Sequence, residues 1–165
     1  MIVLVGFMGA GKTTVGRLLA ANLGIPFTDS DHVIEGRAGK PVPRIFSDDG
    51  EPAFRQLEHE VVADLVNGEE RVLALGGGAA CHAGTRAALA AAAVPVVYLR
   101  ISYAQAMSRV GGDRGRPMLA RCDVEQLHRD RDPHYARAAT LTVDAGDRAP
   151  EEIARDILGR LYASR

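Results

Sequence analysis

The sequence has little net charge, few cysteines and no long apolar segment. Its formal net charge is −1, from 20 basic and 21 acidic residues, so charge gives no reason to expect binding to nucleic acid or to an anionic membrane. No apolar run approaches the roughly 20 residues of a membrane-spanning helix. The two cysteines, Cys81 and Cys122, form no CxxC pair. We interpret them as reduced thiols.

The sequence also lacks internal repeats, low-complexity linkers and a basic segment before its short apolar start. Its 165 residues, 47% of them hydrophobic, suit one domain with a full core. We therefore expect a single domain over residues 1–165 and a cytoplasmic location. A monomer is the default expectation, although no feature of the sequence indicates the number of subunits.

Strand-like and helix-like segments alternate along the chain. Buried strands are predicted at residues 2–5, 26–28, 72–75, 94–100 and 141–144. Helices are predicted at residues 12–23 and 84–92, after an N-terminal proline at Pro52 and at Pro150, and after a cap at Ser102; residues 31–46 are expected to be helical in pieces. Continuously apolar strands alternating with helices predict an α/β fold whose parallel sheet is covered on both faces.

The stretch GFMGAGKTT, residues 6–14, follows the first predicted strand and opens the first helix. It satisfies the phosphate-loop pattern G-x-x-x-x-G-K-[ST], in which backbone N–H groups and the helix N-terminus surround an anion. Lys12 is expected to reach the β- and γ-phosphates, and Thr13 to offer its hydroxyl to Mg²⁺. The alternative, a glycine-rich turn without a ligand, fits this strand-to-helix context less well. The nucleotide-binding residues predicted here are Gly9, Ala10, Gly11, Lys12, Thr13 and Thr14.

The phosphate loop alone does not separate a nucleotide-hydrolysing switch from a kinase. The sequence has no NKxD stretch, which a switch GTPase would use to read its base. A kinase needs an acceptor pocket that excludes water. The remaining polar motifs must therefore decide between the two.

Three short stretches are candidates for an acceptor pocket. Asp29 and Asp31 follow the second predicted strand, at the carboxyl edge of the sheet. Arg55 and Glu58 are three residues apart on one helix face, and GGG at residues 76–78 ends the third strand. Taken alone, each stretch has an ordinary alternative. The aspartates could be a helix cap and a solvated charge, the arginine and glutamate a surface ion pair, and the glycines a turn.

Residues 111–123, GGDRGRPMLARCD, interrupt the pattern of strands and helices. The segment holds glycines, three arginines and a proline, and has little to bury. Such a composition is typical of an active-site lid, with a flexible surface loop as the alternative.

Taken together, these motifs resemble those of the shikimate kinase family. The matching features are GFMGAGKTT, DSD followed by Ile34 and Glu35, the IF–DGE–FR–E pattern of residues 45–58, GGGAA at 76–80, Arg116 with Pro117, and RDPHY at 131–135. They occur in the family order and span nearly the whole chain.

The resemblance implies a phosphate-loop kinase of the nucleoside-monophosphate-kinase type, a three-layer fold with sheet order 2-3-1-4-5 and a lid. It also implies transfer of the ATP γ-phosphate to the 3-hydroxyl of shikimate, with ATP and Mg²⁺ as cofactors, in the pathway to aromatic amino acids. The shikimate-binding region would lie at about residues 31–60.

For the acceptor, the resemblance implies that Arg55 and Arg131 hold the shikimate carboxylate, beside the backbone of Gly77. Arginine suits this task because its planar fork binds a carboxylate through two hydrogen bonds. Asp31 would accept hydrogen bonds from ring hydroxyls and the proton of the attacking one, while Glu58 would orient Arg55. The shikimate-binding residues implied are Asp31, Arg55, Glu58, Gly76, Gly77, Gly78 and Arg131.

For the donor, the resemblance implies that Lys12, Asp31 and Arg116 are catalytic, with Arg116 moving onto the transferring phosphate. Asp29 would join Thr13 in holding Mg²⁺ through water, because the third strand lacks a Walker B aspartate. Outside the phosphate loop, the resemblance implies four further nucleotide contacts: Arg109, Arg116, Arg148 and Pro150. All of these except Arg116 would lie on the adenine side.

Two other functions fit parts of this pattern. A gluconate kinase of the same fold would also bind a hydroxylated carboxylate, although the combination of DSD, FR-x-x-E and GGG favours shikimate. A nucleotide-dependent regulatory module without transfer activity would be expected to lose Lys12, Asp31 or the lid arginine, and the sequence keeps all three.

Overall fold

The computed structural model describes residues 1–110 and 123–163. Five parallel strands form one sheet in the order β2-β3-β1-β4-β5, which confirms the predicted order. The strands are β1 (Ile2–Val5), β2 (Phe27–Asp29), β3 (Val72–Ala74), β4 (Val96–Arg100) and β5 (Leu141–Asp144). The α-helices are α1 (Lys12–Leu23), α2 (Ser30–Ala38), α3 (Val42–Asp49), α4 (Glu51–Val66), α5 (Ala83–Ala92), α6 (Tyr103–Val110), α7 (Val124–Ala138) and α8 (Pro150–Tyr162), with a 3-10 turn at Ala79–Cys81.

The central strand β1 pairs with β3 on one side and β4 on the other. Every residue of β1 and β3 is buried, because helices cover both faces of the sheet. Helices α1 and α8 pack together, and α5 packs against α4 and α7. The loop after β1 and the glycines after β3 therefore emerge side by side at the carboxyl edge of the sheet.

A second, smaller apolar cluster lies outside the main core and joins α2, α3 and α4. Its buried members are Ile34, Ile45, Phe54 and Val61. This cluster holds the three helices together as a unit on the β2 side of the molecule. It provides the packing that positions the charged residues of α2 and α4 over the sheet edge.

The predicted segments are recovered with small differences in their ends. Strand β4 begins at Val96 and not at residue 94, and Pro95, which has no N–H to donate to a strand ladder, lies just before it. Helix α4 begins at Glu51, so Pro52 is its second residue and not its first. The cap at Ser102 is confirmed: Ser102 Oγ accepts from the N–H of Gln105 at 3.1 Å, and Gln105 Oε1 accepts from the N–H of Ser102 at 2.9 Å.

Residues 31–46, expected to be helical in pieces, form α2 and most of α3. The predicted lid at 111–123 lies outside the described residues except for Asp123, whose carboxylate caps α7 by accepting from the N–H groups of Glu125 and Gln126. Among the described helices, none is both long and apolar enough to cross a membrane. The cytoplasmic location remains a prediction.

Gly16 allows α1 to approach the sheet closely, and this contact can be tested. A β-carbon at position 16 would lie 2.5 Å from the ring of Phe27 and 3.2 Å from Leu4. Replacing glycine by alanine inside a helix ordinarily stabilises it by about 1 kcal/mol, but here we expect Gly16→Ala to lower the melting temperature because the overlap dominates.

Gly159→Ala is the matched control, because Gly159 lies inside α8 with no other group within 4 Å of a new β-carbon. We expect this control to raise the melting temperature by a few degrees. A Gly16→Ala variant stabilised to the same extent would contradict the close packing of α1 on β2.

Candidate active site

The loop at residues 6–14 has the backbone geometry of an anion cradle. Gly9 and Gly11 adopt left-handed angles, with φ of 79° and 91°, which residues with a side chain rarely adopt. The N-terminus of α1 follows directly, so its first N–H groups and the positive end of its dipole face the loop. Lys12 Nζ donates to the carbonyls of Gly6 at 2.6 Å and Phe7 at 3.2 Å, which folds its side chain back over the loop.

A cavity of about 390 Å³ opens beside this loop, at the carboxyl edge of β1, β2 and β3. Its walls come from the loop, from α2, α3 and α4, from the glycines after β3 and from α7. Among its lining residues are Lys12, Thr13, Asp29, Asp31, Arg55, Glu58, Gly76, Gly77, Gly78 and Arg131. The structure therefore brings both predicted metal residues and all the predicted acceptor residues to one cavity, whereas of the predicted phosphate-loop residues only Lys12 and Thr13 line it.

The DSD stretch connects β2 to α2, and each of its residues has a separate role. Asp29 is the N-cap of α2, where its Oδ1 accepts from the N–H of Asp31 at 2.9 Å. Ser30 is fully buried, and its Oγ accepts from the N–H of Gly76 at 3.2 Å. Asp31 faces the same glycine, since a β-carbon at position 76 would lie 2.7 Å from its Oδ1. The stretch thus ties the start of α2 to the end of β3.

Arg55 and Glu58 form an ion pair on α4, with 2.8 Å between Nη1 and Oε1. This is not the surface pair considered from the sequence, because Glu58 is only 1% exposed. The guanidinium also lies near the rings of Phe46 and Phe54, at 5.9 and 5.1 Å from their centroids. These contacts hold the guanidinium in one place at the cavity wall.

Arg131 reaches the cavity from the opposite side, from α7. It is 7% exposed, and its Nη1 would lie 3.2 Å from a β-carbon at position 77. A β-carbon at position 78 would overlap the guanidinium of Arg55. Both arginines therefore lie directly against the bare backbone of the glycines, where an anion between them would meet two cationic forks.

The buried carboxyls of the cavity carry raised pKa values. Burial raises the pKa of Asp31, and the nearby charge of Asp29 raises it further against the opposing effects of Lys12 and Arg55. Burial also raises the pKa of Glu58, although its ion pair with Arg55 opposes the shift. Among the described residues, Glu58 Oε2 has no hydrogen-bond partner. Carboxyls with raised pKa values in a cleft are typical of sites that accept or share protons.

The predicted adenine-side residues do not line this cavity and lie around the turn after β5. Arg109 donates to the carbonyls of Gly9 at 2.9 Å and Ala145 at 3.1 Å, so it links the phosphate loop to the turn after β5. Arg148 in that turn pairs with Asp156 on α8 at 3.1 Å. Pro150 is the first residue of α8. Their adenine contacts stay predictions, and Arg116 lies outside the described residues.

Sequence reasoning missed three contributors to the site. Ser30 stood inside the DSD motif without a role. Phe46 also lay inside a quoted motif, but nothing in the sequence indicated that its ring approaches the guanidinium of Arg55. Tyr135 ended the RDPHY motif, and the structure shows its hydroxyl donating to the carbonyl of Gly77 at 2.5 Å.

Comparison with known proteins identifies the family of this chain. The family model described as "Shikimate kinase" matches residues 8–162. The shikimate kinase of Thermobifida fusca is 49% identical over 99% of this chain and 96% of its own length. The structure of shikimate kinase from Acinetobacter baumannii in complex with shikimate covers 99% of this chain and 93% of that one, at 41% identity and a TM-score of 0.92.

A gluconate kinase, the alternative function considered from the sequence, is represented by a more distant structure. The structure of a gluconokinase from Sinorhizobium meliloti covers 99% of this chain and 93% of that one, with a TM-score of 0.60 and 23% identity, which shows a shared fold alone. The match to shikimate kinases is closer and extends over the whole chain, as do the sequence motifs. The chain belongs to the shikimate kinase family.

Proposed function

We propose that the cavity between the phosphate loop and α4 is where this chain transfers the γ-phosphate of ATP to the 3-hydroxyl of shikimate. The observation that carries the proposal is that Lys12, Asp31 and Arg55 line one cavity of about 390 Å³. A phosphate donor and a small anionic acceptor could therefore be bound next to each other in this one cavity.

At the donor end, the loop at residues 6–14 holds the β- and γ-phosphates of ATP. Its glycine backbone and the N-terminus of α1 supply N–H donors, and the Nζ of Lys12 supplies a positive charge. Charge that develops on the transferring phosphoryl group is stabilised by such fixed donors at little reorganisation cost.

The residues present fit a Mg²⁺ ion bound partly through water. Thr13 and Asp29 line the same cavity, and Asp29 uses only its Oδ1 to cap α2. No cluster of three or more histidine, cysteine or carboxylate side chains suitable for a metal occurs within residues 1–110 and 123–163. Magnesium bound to nucleotide suits this arrangement, because it keeps several waters and takes one or two protein ligands besides phosphate oxygens. When bound, the ion would neutralise phosphate charge.

At the acceptor end, Arg55 and Arg131 bind the shikimate carboxylate over the backbone of residues 76–78. Glu58 holds the guanidinium of Arg55 by its ion pair at 2.8 Å, which lowers the conformational entropy lost on binding. Two forks fixed against bare backbone distinguish a carboxylate from a neutral group of the same shape.

Asp31 lies between the two ends and orients the acceptor hydroxyl. Its carboxylate accepts the hydroxyl proton as that oxygen forms a bond to the γ-phosphorus and the bond to the departing ADP oxygen breaks. The raised pKa of Asp31 makes it a stronger base than an exposed aspartate. By the resemblance to the family, Arg116 would add its positive charge to the transferring phosphate; it lies outside the described residues.

The carboxylate clamp can be tested with Arg55→Lys. Lysine keeps the charge but loses the fork, so we expect the KM for shikimate to rise by at least tenfold with little change in the KM for ATP. ADP release should be measured with shikimate, with the carboxamide of shikimate, with gluconate and without an acceptor. The matched control is Arg44→Lys on α3, an exposed arginine paired with Asp48 at 3.4 Å. Equal turnover of the acid and the carboxamide by the parent enzyme would contradict the clamp.

Asp29 and Asp31 are expected to respond differently to loss of charge. Asparagine caps helices as well as aspartate does, so Asp29→Asn should leave α2 intact while raising the Mg²⁺ concentration needed for half-maximal activity by several-fold. Asp31→Asn should instead lower kcat, with little change in the Mg²⁺ requirement. Titrating Mg²⁺ for both variants and the parent checks this, and coinciding curves for Asp29→Asn and the parent would refute the assignment.

Asp31 should also reduce stability at neutral pH. A carboxyl whose pKa is higher in the folded than in the unfolded state stabilises the fold fully only below its unfolded-state pKa, near 3.8. That stabilisation is lost as the pH rises through its folded-state pKa. We therefore expect Asp31→Asn to melt higher than the parent at pH 7.5, with the difference shrinking towards pH 4. Asp64→Asn, on the exposed side of α4, serves as the control. A variant that melts lower than the parent at pH 7.5 would contradict the burial cost.

A further inference from the structure

We infer that Tyr135 is a positioning residue for the acceptor: its hydroxyl fixes the backbone of Gly77 and adjoins Arg131, and so sets the carboxylate clamp. The inference rests on the clamp proposed above and adds the group that holds it in place. Tyr135 lies in the core, where it is 1% exposed, and is not among the residues that line the cavity. It therefore acts on the acceptor through other residues.

The first contact is between Tyr135 and the glycines. The Tyr135 hydroxyl donates to the carbonyl oxygen of Gly77 at 2.5 Å. The residues on either side are held by other bonds: the N–H of Gly76 donates to Ser30 Oγ at 3.2 Å, and the carbonyl of Gly78 accepts from the N–H of Cys81 at 3.1 Å. Within the described parts of the chain, the Tyr135 hydroxyl is the one hydrogen-bond partner of Gly77.

The second contact is between Tyr135 and Arg131, which lie one helical turn apart on α7. The Tyr135 hydroxyl oxygen would lie 3.8 Å from a β-carbon at position 77. Burial raises the pKa of this hydroxyl, and the positive charge of Arg131 opposes that shift. The guanidinium also lies against Gly77, where its Nη1 would be 3.2 Å from a β-carbon. One hydroxyl therefore adjoins both the cationic and the backbone parts of the clamp.

The Gly77 carbonyl matters because its peptide group also carries the N–H of Gly78. The described residues include no cis peptide, so this N–H points to the side away from Tyr135. In the described residues, neither the N–H of Gly77 nor that of Gly78 has a hydrogen-bond acceptor. Arg131 lies against Gly77 and Arg55 against Gly78, so an anion held between the two arginines would lie next to this peptide group.

A run of three glycines needs an external constraint to hold such a geometry. Glycine has more accessible backbone conformations than any other residue, so an unanchored peptide at 77–78 would rotate and misdirect its N–H. The Tyr135 hydroxyl supplies the constraint from the core side. Without it, shikimate would have to order this backbone on binding, and its affinity would fall while ATP binding stayed the same.

Tyr98 provides a matched control. It lies on β4, is 2% exposed, and its ring centroid lies 5.2 Å from that of Tyr135. Its hydroxyl donates to Asp132 Oδ1 at 2.5 Å and makes no bond to the glycines. Replacing either tyrosine by phenylalanine removes one buried hydroxyl next to α7, but only one of the two changes touches Gly77.

The experiment compares the parent, Tyr135→Phe and Tyr98→Phe, with shikimate and its carboxamide as acceptors. Each variant is assayed for kcat, for the KM of each acceptor and for the KM of ATP, and its melting temperature is measured. For Tyr135→Phe we expect the KM for shikimate to rise about tenfold, as for loss of one well-placed hydrogen bond. Its preference for the acid over the carboxamide should fall by a similar factor, with the KM for ATP within twofold of the parent value.

Tyr98→Phe should keep the acid preference of the parent, even where it loses as much thermal stability. The inference is overturned if Tyr135→Phe keeps that preference, or if both variants lose it equally, because the effect would then come from general packing. A parent enzyme that does not distinguish the acid from the carboxamide overturns the clamp itself, and the inference with it. If Tyr135→Phe does not fold, Tyr135→Met takes its place, because a methionine side chain adapts to a buried site and has no hydrogen-bond donor. A folded Tyr135→Met that keeps the acid preference of the parent also overturns the inference.

Discussion

The contact between charged side chains and the bare backbone of residues 76–78 is the constraint on which the proposed acceptor cavity depends. Each glycine has a charged side chain against it: Asp31 lies at Gly76, Arg131 at Gly77 and Arg55 at Gly78. The contacts are so close that a β-carbon at any of the three positions would crowd the charged group. The three side chains come from α2, α7 and α4. Bare backbone at the end of β3 therefore lets three helices bring their charges to one place.

This arrangement places carboxyl groups where water is scarce. Burial raises the pKa of both Asp31 and Glu58, and one oxygen of Glu58 finds no partner among the described residues. The cationic groups of Lys12 and Arg55 offset part of that cost. Under the proposed function, the same loss of water would strengthen the binding of an anion and make Asp31 a better base, so stability would be given up for reactivity.

The sheet order explains why donor and acceptor residues meet. Strand β1 lies between β3 and β4, so the phosphate loop that follows β1 emerges beside the glycines that follow β3. The alternating segments predicted the parallel sheet, and the resemblance to the shikimate kinase family implied the order of its strands. The strand ends were less predictable: β4 begins only at Val96, beyond Pro95. The structural role of Ser30 was also missed, because its bond to Gly76 joins residues 46 apart.

By itself, the sequence determined the phosphate loop, the fold class and the family. These depend on consecutive residues, such as the glycines of residues 6–14, whose backbone angles and N–H groups act locally. Only the tertiary structure decided that Glu58 is buried and that Tyr135 holds the carbonyl of Gly77. These facts depend on how α4 and α7 pack over the end of β3, and such packing arises from many contacts between distant parts of the chain that no local pattern records.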